Sequence, residues 1–375
     1  MVAKLDELVG RARDKTGLSD LGQGSWVEGL QALLAAVRND VDDSGSVAAI
    51  EEILVDRLVQ RLRIEAWWSS HDVDDQVPMD GPLVVFGLPR TGTTALHHMM
   101  SLDPQFRFLR SWEVNDPIPL ELGEGAEDPR RPTEAPRVDV RHIVTVDGPA
   151  EDGPIHALAF DQAELVLPVP SYTEWWRTRG HQGLFEYHER FLRMVAGGEP
   201  TPRWLLKFPA YSFLLEEMAA HYPTATFVMT HRDPVAVIAS TCSVVADSRR
   251  KRTPAWSPDA EFGPMLTRHW ADGMDRAMRA RGALGEERFI DVSQHELEAD
   301  PSKVIRRVYS ADGLTLSGEV AESIAVWAEA NKRGSRGAHA YSLEEYGLDR
   351  DMVLEAFETY VDRFAECCGA PGGLR

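Results

Sequence analysis

Cysteine is scarce in this chain, which has only three such residues among 375, at Cys242, Cys367 and Cys368. Their number and spacing fit neither a disulfide framework nor a zinc site, so we expect a reducing compartment. Apolar runs long enough to span a bilayer are also lacking. Met1 to Lys15 is charged and amphipathic, which predicts no secretory leader. These absences predict a cytoplasmic protein without an integral membrane segment.

Positive charge is in short supply as well. The chain has 40 basic and 60 acidic residues and a formal net charge of −20. Such a surface repels a phosphate backbone, so nucleic acid is not an expected partner. The hydrophobic content of 43% is enough for a large core, and we find no internal repeat or low-complexity tract. Any anion that this protein binds must therefore meet a local cluster of cations.

The segment from Leu83 to Met100, LVVFGLPRTGTTALHHMM, contains such a cation. It joins a short apolar strand to a helix through a glycine-bracketed loop with the spacing of the P-loop GxxxxGK[ST]. Thr93 stands where nucleotide triphosphatases have lysine, and the cation comes earlier, at Arg90. Arginine offers a planar fork of donors to an oxyanion. Backbone N–H groups after Gly92, at the positive end of the helix, point at the same anion.

This segment resembles the 5′-phosphosulfate loop of the sulfotransferases that use 3′-phosphoadenosine 5′-phosphosulfate (PAPS). The resemblance implies that the donor is bound by Arg90, Thr91, Gly92, Thr93 and Thr94. A second segment, Arg203 to Ser240, supports it, because an apolar strand at Ala225 to Thr230 precedes Arg232 and a helix that Pro234 opens. In the family, such an arginine and a serine in the following helix, here Ser240, bind the 3′-phosphate.

A third segment, Asn331 to Asp349, resembles the late Arg-Gly loop that closes over the same phosphate in this family. The resemblance implies phosphate contacts from Lys332, Arg333, Arg336 and Gly337. The three segments follow the family's order and span most of Leu83 to Asp349. They imply a PAPS-dependent sulfotransferase that uses no metal and sulfonates a hydroxyl of a small-molecule or lipid acceptor.

Sulfonate transfer resembles phosphoryl transfer, so the leaving oxygen must be neutralised and the acceptor hydroxyl must lose its proton. We expect Arg90 to contact the 5′-phosphate and the leaving-group oxygens. Lys207 ends the predicted strand RWLLK and matches the lysine with which the family touches the transferred sulfonate. The carboxyl ends of strands in open α/β sheets are where ligands bind, which favours this role over that of a surface lysine.

The general base is the least defined role. The family's common histidine, two residues after the lysine, is replaced here by Pro209. Other branches use a glutamate beyond the first helix, and Glu113 takes that place; Trp112 beside it would desolvate the carboxylate and raise its pKa. Glu113 is therefore the first candidate. The alternatives are Glu151 and Asp152, two acids at a predicted helix start. A further one is His97, in the helix that follows the glycine-bracketed loop.

Strand and helix patterns alternate after residue 80, which predicts a three-layer α/β, P-loop-like fold with a mostly parallel sheet and helices on both faces. Further strands are predicted at Arg203 to Lys207, Ala225 to Thr230 and Arg288 to Val292. Residues 1–80 predict an N-terminal helical extension packed on this core. Residues 81–375 would form the α/β domain, with insertion or lid segments near 112–180, in a single structural domain overall.

Aromatic residues near these segments predict an apolar acceptor pocket, with the proline-rich segment Asp116 to Pro136 as its lid. They are Phe106, Phe108, Trp112, Tyr172, Trp175 and Trp176, each of which also suits a core position. Such a pocket favours a phenol, sterol, lipid or glycolipid. Two other functions stay open: a P-loop kinase, which Thr93 disfavours, and a PAPS-binding protein without catalysis. The sequence does not indicate an oligomeric state.

Overall fold

A five-stranded sheet lies at the centre of the described part of the protein. In this computed structural model the described residues are 2–71, 79, 81–122, 127–133, 145–197, 203–332 and 342–368. The strand order is β2-β3-β1-β4-β5 and every neighbouring pair is parallel. The strands are β1 (Leu83–Gly87), β2 (Phe106–Arg107), β3 (Arg203–Lys207), β4 (Thr226–His231) and β5 (Phe289–Ser293). The predicted parallel α/β fold is confirmed.

Helices precede, connect and follow the strands. Among the described residues, those before the sheet are α1 (Val2–Thr16), α2 (Trp26–Asp40) and α3 (Ser44–Ser70). Those between β1 and β4 are α4 (Thr93–Met100), α5 (Ser111–Asn115), α6 (Gly153–Leu158), α7 (Pro170–Thr178), α8 (Leu184–Ala196) and α9 (Leu215–His221). The later ones are α10 (Pro234–Arg252), α11 (Phe262–Leu284), α12 (Gln294–Ala299), α13 (Pro301–Ala311), α14 (Gly318–Ala330), α15 (Arg350–Ala356) and α16 (Glu358–Phe364).

The sheet is buried on both faces. Along β1, Val84 and Phe86 point into one apolar core, while Leu83 and Val85 point into the other. All four are fully buried, which explains why the strand reads as an unbroken apolar run rather than an alternating one. Helices α4, α13 and α14 contribute to the second core, and most of the remaining helices contribute to the first.

The N-terminal helices pack into the first core. Leu30 of α2 and Leu58 of α3 are fully buried in the same cluster as Phe86. Arg61 of α3, which is 2% exposed, donates to the carbonyl of Leu21 at 2.7 Å and to that of Leu158 at 3.2 Å. A buried arginine needs such acceptors, so α3 is fixed to the last residue of α6 and to the segment between α1 and α2. The division of the chain into domains stays a prediction.

Two features of the fold place the site. The carboxyl ends of β1, β3 and β4 lie side by side, so the segments after them meet at one edge of the sheet. Gly87, at the end of β1, has a φ of 140°, and a Cβ there would lie 2.5 Å from the Thr230 carbonyl oxygen of β4. Only glycine fits this approach. Within the described ranges, no helix is both long and apolar enough to cross a membrane.

Candidate active site

The loop between β1 and α4 turns sharply over the sheet edge. Gly92 has a φ of 91° and Arg90 has a φ of 66°, a left-handed conformation that costs an L-residue energy. The Thr91 hydroxyl is buried and donates to the Leu88 carbonyl at 2.6 Å; it also lies 2.6 Å from the Thr230 hydroxyl. The Thr91 side chain therefore fixes the loop to β4, which leaves its backbone N–H as the group that can face an anion.

Thr93 and Thr94 form the first turn of α4. Thr93 is 3% exposed, while Thr94 is partly exposed. The Thr94 hydroxyl accepts a hydrogen bond from the Lys207 ammonium at 3.2 Å. The helix start and the end of β3 are thus in direct contact, as expected if the loop and Lys207 serve one ligand.

Lys207 is the best-defined cation of the site. Only 1% of the residue is exposed, although its ammonium reaches both Thr94 and the carboxylate of Glu151. Glu151 itself is 45% exposed in its side chain. A lysine held at the end of a buried strand, with its charge turned toward an exposed carboxylate, lies at the border between the core and the site.

Asp152 holds the backbone of Lys207. Its Oδ2 accepts from the Lys207 N–H at 3.0 Å and from the Tyr211 hydroxyl at 2.6 Å, and its own N–H donates to the Lys207 carbonyl at 3.1 Å. Burial raises the pKa of Asp152 to about 7, against the lowering effect of the bonds from Tyr211 and Lys207. Asp152 is the N-cap residue of α6, but its side chain makes no capping bond. Asp152 thus lies at a helix start, as expected, but its side-chain hydrogen bonds go to Lys207 and Tyr211.

A second group of side chains lies where β4 ends. The Arg90 Nε donates to the Ser240 hydroxyl at 3.3 Å, and an Arg232 guanidinium nitrogen donates to the Arg90 carbonyl at 2.9 Å. Helix α10, which carries Ser240, begins at Pro234 and is capped by the Asp233 carboxylate on the Val235 N–H at 2.9 Å. Residues predicted to bind the two phosphates are thus in contact, and the Arg90 side chain lies toward the predicted 3′-phosphate side.

Side chains from β5, α11 and α16 stabilise the end of β4. His231 bonds to Asp291 of β5 at 2.8 Å and to the Tyr360 hydroxyl of α16 at 3.0 Å, and Arg281 pairs with the same aspartate at 2.6 Å. Burial alone would raise the pKa of Asp291, but the bonds from His231 and Arg281 outweigh it and hold that pKa well below its usual range. This network fixes the residue that precedes Arg232.

Glu113, the first candidate for the base, lies in α5 and is 3% exposed. Its carboxylate accepts from Arg107 at 2.6 Å, from the Arg110 guanidinium at 2.9 Å and from the Arg110 backbone N–H at 2.7 Å. The expected partner, Trp112, instead places its indole N–H 3.4 Å from Asp147. Both carboxylate oxygens are thus occupied by Arg107 and Arg110, which leaves Glu113 poorly placed to contact an acceptor hydroxyl.

His97 is 2% exposed in α4. Burial, followed by the nearby positive charge of Lys207, lowers its pKa well below the ordinary value, and its Nε2 has no hydrogen-bond partner. A neutral histidine with so low a pKa takes up a proton poorly. The geometry thus favours a packed core histidine over a catalytic one.

The central part of the third predicted segment, residues 333–341, lies outside the described residues. Lys332 is exposed at the end of α14, where its ammonium lies 2.6 Å from Glu329. Arg333, Arg336 and Gly337 lie outside the described residues. Their assignment to the 3′-phosphate stays a prediction.

The aromatic residues expected to form one acceptor pocket lie in different places. Phe106 packs against Tyr309 in the second core, with ring centres 5.7 Å apart. Tyr172 and Trp176 of α7 are at most 1% exposed and belong to the first core, so packing explains them. Phe108 and Trp112 are partly exposed near α5. Trp175 of α7 is partly exposed as well, but it packs against the first core, so Phe108 and Trp112 are the better candidates for an acceptor surface.

Comparison with known proteins now decides the family. A model described as the sulfotransferase family matches residues 82–318, well over half of the chain. The chain belongs to the sulfotransferase family. It is similar to two mycobacterial crystal structures. Sulfotransferase STF9 from Mycobacterium avium has 28% identity and a TM-score of 0.85, with 96% of each chain covered. Sulfotransferase STF1 from Mycobacterium tuberculosis H37Rv has 28% identity and a TM-score of 0.81, with 94% of this chain and 98% of that chain covered.

No curated protein sequence matches the chain. As a member of this family, the protein is an enzyme that transfers sulfonate groups. The matched region contains the loop between β1 and α4, residues 88–92, which we call the anion loop. It also contains Glu113, Glu151, Lys207, Arg232 and Ser240, whereas the late Arg-Gly segment lies beyond it.

Proposed function

We propose that this sulfotransferase takes its sulfonate from PAPS and passes it to a hydroxyl group of an apolar small molecule or lipid. The observation that carries the proposal is the position of Lys207. Its buried stem places a positive charge between the Thr94 hydroxyl at the start of α4 and the Glu151 carboxylate. A sulfonate beside the loop would therefore have a cation on one side and a proton acceptor within reach.

The polar groups of the site suit a donor with two separated anionic ends. Arg90, Arg232 and Ser240 form a hydrogen-bonding cluster at the end of β4, which we assign to the 3′-phosphate. The backbone N–H groups of the loop, at the start of α4, are assigned to the 5′-phosphate. Arginine carries several N–H donors, so contact of Arg90 with Ser240 is compatible with its predicted contact to the leaving-group oxygens.

The general base must take the acceptor's proton, and we assign this role to Glu151. Its side chain is accessible and contacts Lys207, whereas Glu113 is buried and bonded to two arginines. The donor supplies a sulfonate group whose negative oxygens compete for the Lys207 ammonium. Once Lys207 turns to those oxygens, the Glu151 carboxylate is released from its ion pair and can contact the acceptor hydroxyl. Glu113 stays in the proposal as the carboxylate to test against it.

The acceptor is proposed to enter beside α5. Phe108 and Trp112 are partly exposed there, and the guanidinium groups of Arg110 and Arg130 lie 5.8 Å and 5.1 Å from the Trp112 ring. An accessible aromatic surface favours a phenol, sterol or lipid over a small polar alcohol. We also propose a cytoplasmic location, in keeping with the free thiols of Cys242, Cys367 and Cys368.

The donor is tested by ligand-dependent melting. The product 3′-phosphoadenosine 5′-phosphate (PAP), added with a metal chelator, should raise the melting temperature, because a ligand that binds the native state stabilises it by mass action. ATP with Mg²⁺ should raise it less. A larger shift with ATP and Mg²⁺ would favour a kinase-like nucleotide site and contradict the proposed donor.

A further inference from the structure

We infer that Asp152 is a positioning residue that sets the place of the Lys207 ammonium and of Glu151 relative to each other. The inference rests on the proposed function, in which Lys207 contacts the transferred sulfonate and Glu151 takes the acceptor's proton. Asp152 binds the backbone of Lys207, whereas Thr94 at the start of α4 contacts the Lys207 ammonium.

Asp152 and Lys207 bond reciprocally through their backbones. The Asp152 carboxylate takes the Lys207 N–H, and the Asp152 N–H binds the Lys207 carbonyl. Both polar groups of the Lys207 peptide backbone are thus satisfied by one residue from a distant segment. On the other side, the Phe208 N–H donates to the Val85 carbonyl of β1 at 3.3 Å. The end of β3 is therefore fixed between β1 and the segment that precedes α6.

The same bonds fix Glu151. It precedes Asp152 directly, so the pairing of Asp152 with Lys207 aligns the two segments and brings the Glu151 carboxylate to the Lys207 ammonium. The two segments pack closely, since a Cβ on Gly153 would lie 2.8 Å from the Phe208 ring. Any loosening of the Asp152 bonds would move both functional side chains at once.

A buried chain of hydrogen bonds supports the Asp152 carboxylate. The Tyr211 hydroxyl donates to it at 2.6 Å and lies 3.3 Å from His188 Nε2, while His188 Nδ1 lies 3.0 Å from the Tyr222 hydroxyl. Tyr211 and His188 are fully buried and Tyr222 is 3% exposed. Polar groups buried this deeply keep one geometry, because each lost bond leaves an unsatisfied partner.

Two tyrosines of this chain make a matched pair of variants. Tyr211→Phe removes the hydroxyl that bonds to Asp152, and Tyr222→Phe removes a buried hydroxyl that bonds only to His188 among these groups. Both changes delete one oxygen from a buried ring. If Asp152 positions Lys207, the first change should alter binding of the sulfonate and the second should not.

The experiment measures the dissociation constants of PAP and PAPS by calorimetry without an acceptor. Asp152→Ala should weaken PAPS by about 10-fold and PAP by less than about 2-fold, since one charge-assisted bond corresponds to roughly that factor. Tyr211→Phe should weaken the binding of PAPS, but not that of PAP, by about 3-fold. Tyr222→Phe should change neither dissociation constant. Asp152→Asn should stay close to the original protein, because a carboxyl with a pKa of about 7 is already neutral in about half of the molecules at pH 7.

Each outcome decides a separate claim. If the original protein binds neither ligand, the proposed donor is wrong and the role of Asp152 falls with it. If it binds both and Asp152→Ala weakens PAP and PAPS equally, Asp152 is only structural. Should Asp152→Ala not fold, the tyrosine pair decides: equal effects of Tyr211→Phe and Tyr222→Phe on the PAPS to PAP ratio would overturn the inference.

Discussion

The two ends of the site are built differently. At the sulfonate end, Lys207 and Asp152 are each 1% exposed, and their bonds come from segments far apart in the sequence. At the phosphate end, Arg90 and Arg232 are partly exposed, and hydrogen bonds link Arg232 to the Arg90 carbonyl and Arg90 to Ser240. A deeply fixed end suits chemistry that tolerates little displacement, and a more open end suits a ligand that enters and leaves.

The difference predicts that binding and turnover can be separated by mutation. Changes at the phosphate end should weaken donor and product alike, because both carry the 3′-phosphate. Changes at the sulfonate end should affect turnover and the donor, because only the donor carries the sulfonate.

The largest effect is expected from Glu151→Gln. Glutamine keeps the shape of the side chain but cannot take a proton, so turnover should fall by about 10²–10⁴-fold, the usual contribution of a general base. The affinity for PAP should be nearly unchanged, because the product lacks the sulfonate. Steady-state kinetics with a working acceptor, together with calorimetry, would measure both.

Glu113→Gln is the matched control for that change. It breaks the buried pairing with Arg107 and Arg110, so the free energy of unfolding should fall by about 1.5–3 kcal/mol, while the folded enzyme keeps most of its turnover. Chemical denaturation and kinetics on the same preparation would show this. A stable Glu113→Gln enzyme that has lost turnover, beside an active Glu151→Gln enzyme, would return the base to Glu113.

Arg232→Ala should weaken the binding free energy of PAP by about 1.5–3 kcal/mol, the range for hydrogen bonds to a charged group. Ser240→Ala removes a neutral hydroxyl from the same cluster and should cost less. Calorimetric titration with PAP would compare the two variants. An unchanged affinity in Arg232→Ala would place this arginine outside the donor site.

The raised pKa of Asp152 has a signed consequence for stability. Its native pKa of about 7 exceeds the ordinary value of 3.8, so the native state holds a proton that the unfolded chain releases between these values. Stability should therefore fall as pH rises from about 4 to about 7, through this group alone. The titratable groups around Asp152 are Lys207, Glu151, Tyr211 and His188. The Asp152→Asn variant keeps all four, so their contributions cancel when the variant is compared with the original protein. Relative to the original protein, that variant should gain melting temperature across this pH range; a constant difference would contradict the shifted pKa.

The smallest effect concerns the backbone of Arg90. Its φ of 66° is strained for any residue with a Cβ, so Arg90→Gly should be more stable than Arg90→Ala by roughly 1 kcal/mol. Both variants lose the same guanidinium and should lose similar affinity for PAP. Denaturation curves would give the difference. An alanine variant as stable as the glycine variant would show that the left-handed turn relaxes when the side chain is removed.

Much of the sheet could be predicted from the sequence. The strands β1, β3, β4 and β5 carry apolar residues covered on both faces, and the predicted limits of β3, β4 and β5 agree with the structure to within a residue. Strand β2 was missed, since its two residues are too short to show any periodicity. The anion loop was recognisable because its chemistry lies within one short segment.

The contacts that define the sulfonate end could not be read from the sequence. Lys207 is 56 residues from Glu151, and Tyr211 is 59 residues from Asp152, so only the fold brings them together. The sequence offered Glu151 and Asp152 as a pair of helix-start acids, yet one faces the site and the other faces the core. For Glu113, Arg107 and Arg110 were near in sequence, but nothing in the pattern showed that both would turn to one carboxylate.

The central claim is that one end of the site holds the nucleotide and the other end handles the sulfonate. Titrating PAP and PAPS into Lys207→Met and Arg232→Met tests it most directly, since methionine keeps much of each stem and removes the charge. The account predicts that Arg232→Met weakens both ligands by a similar factor, whereas Lys207→Met weakens PAPS and leaves PAP nearly unchanged. Equal loss of PAP and PAPS in Lys207→Met, or full affinity for PAP in Arg232→Met, would contradict it.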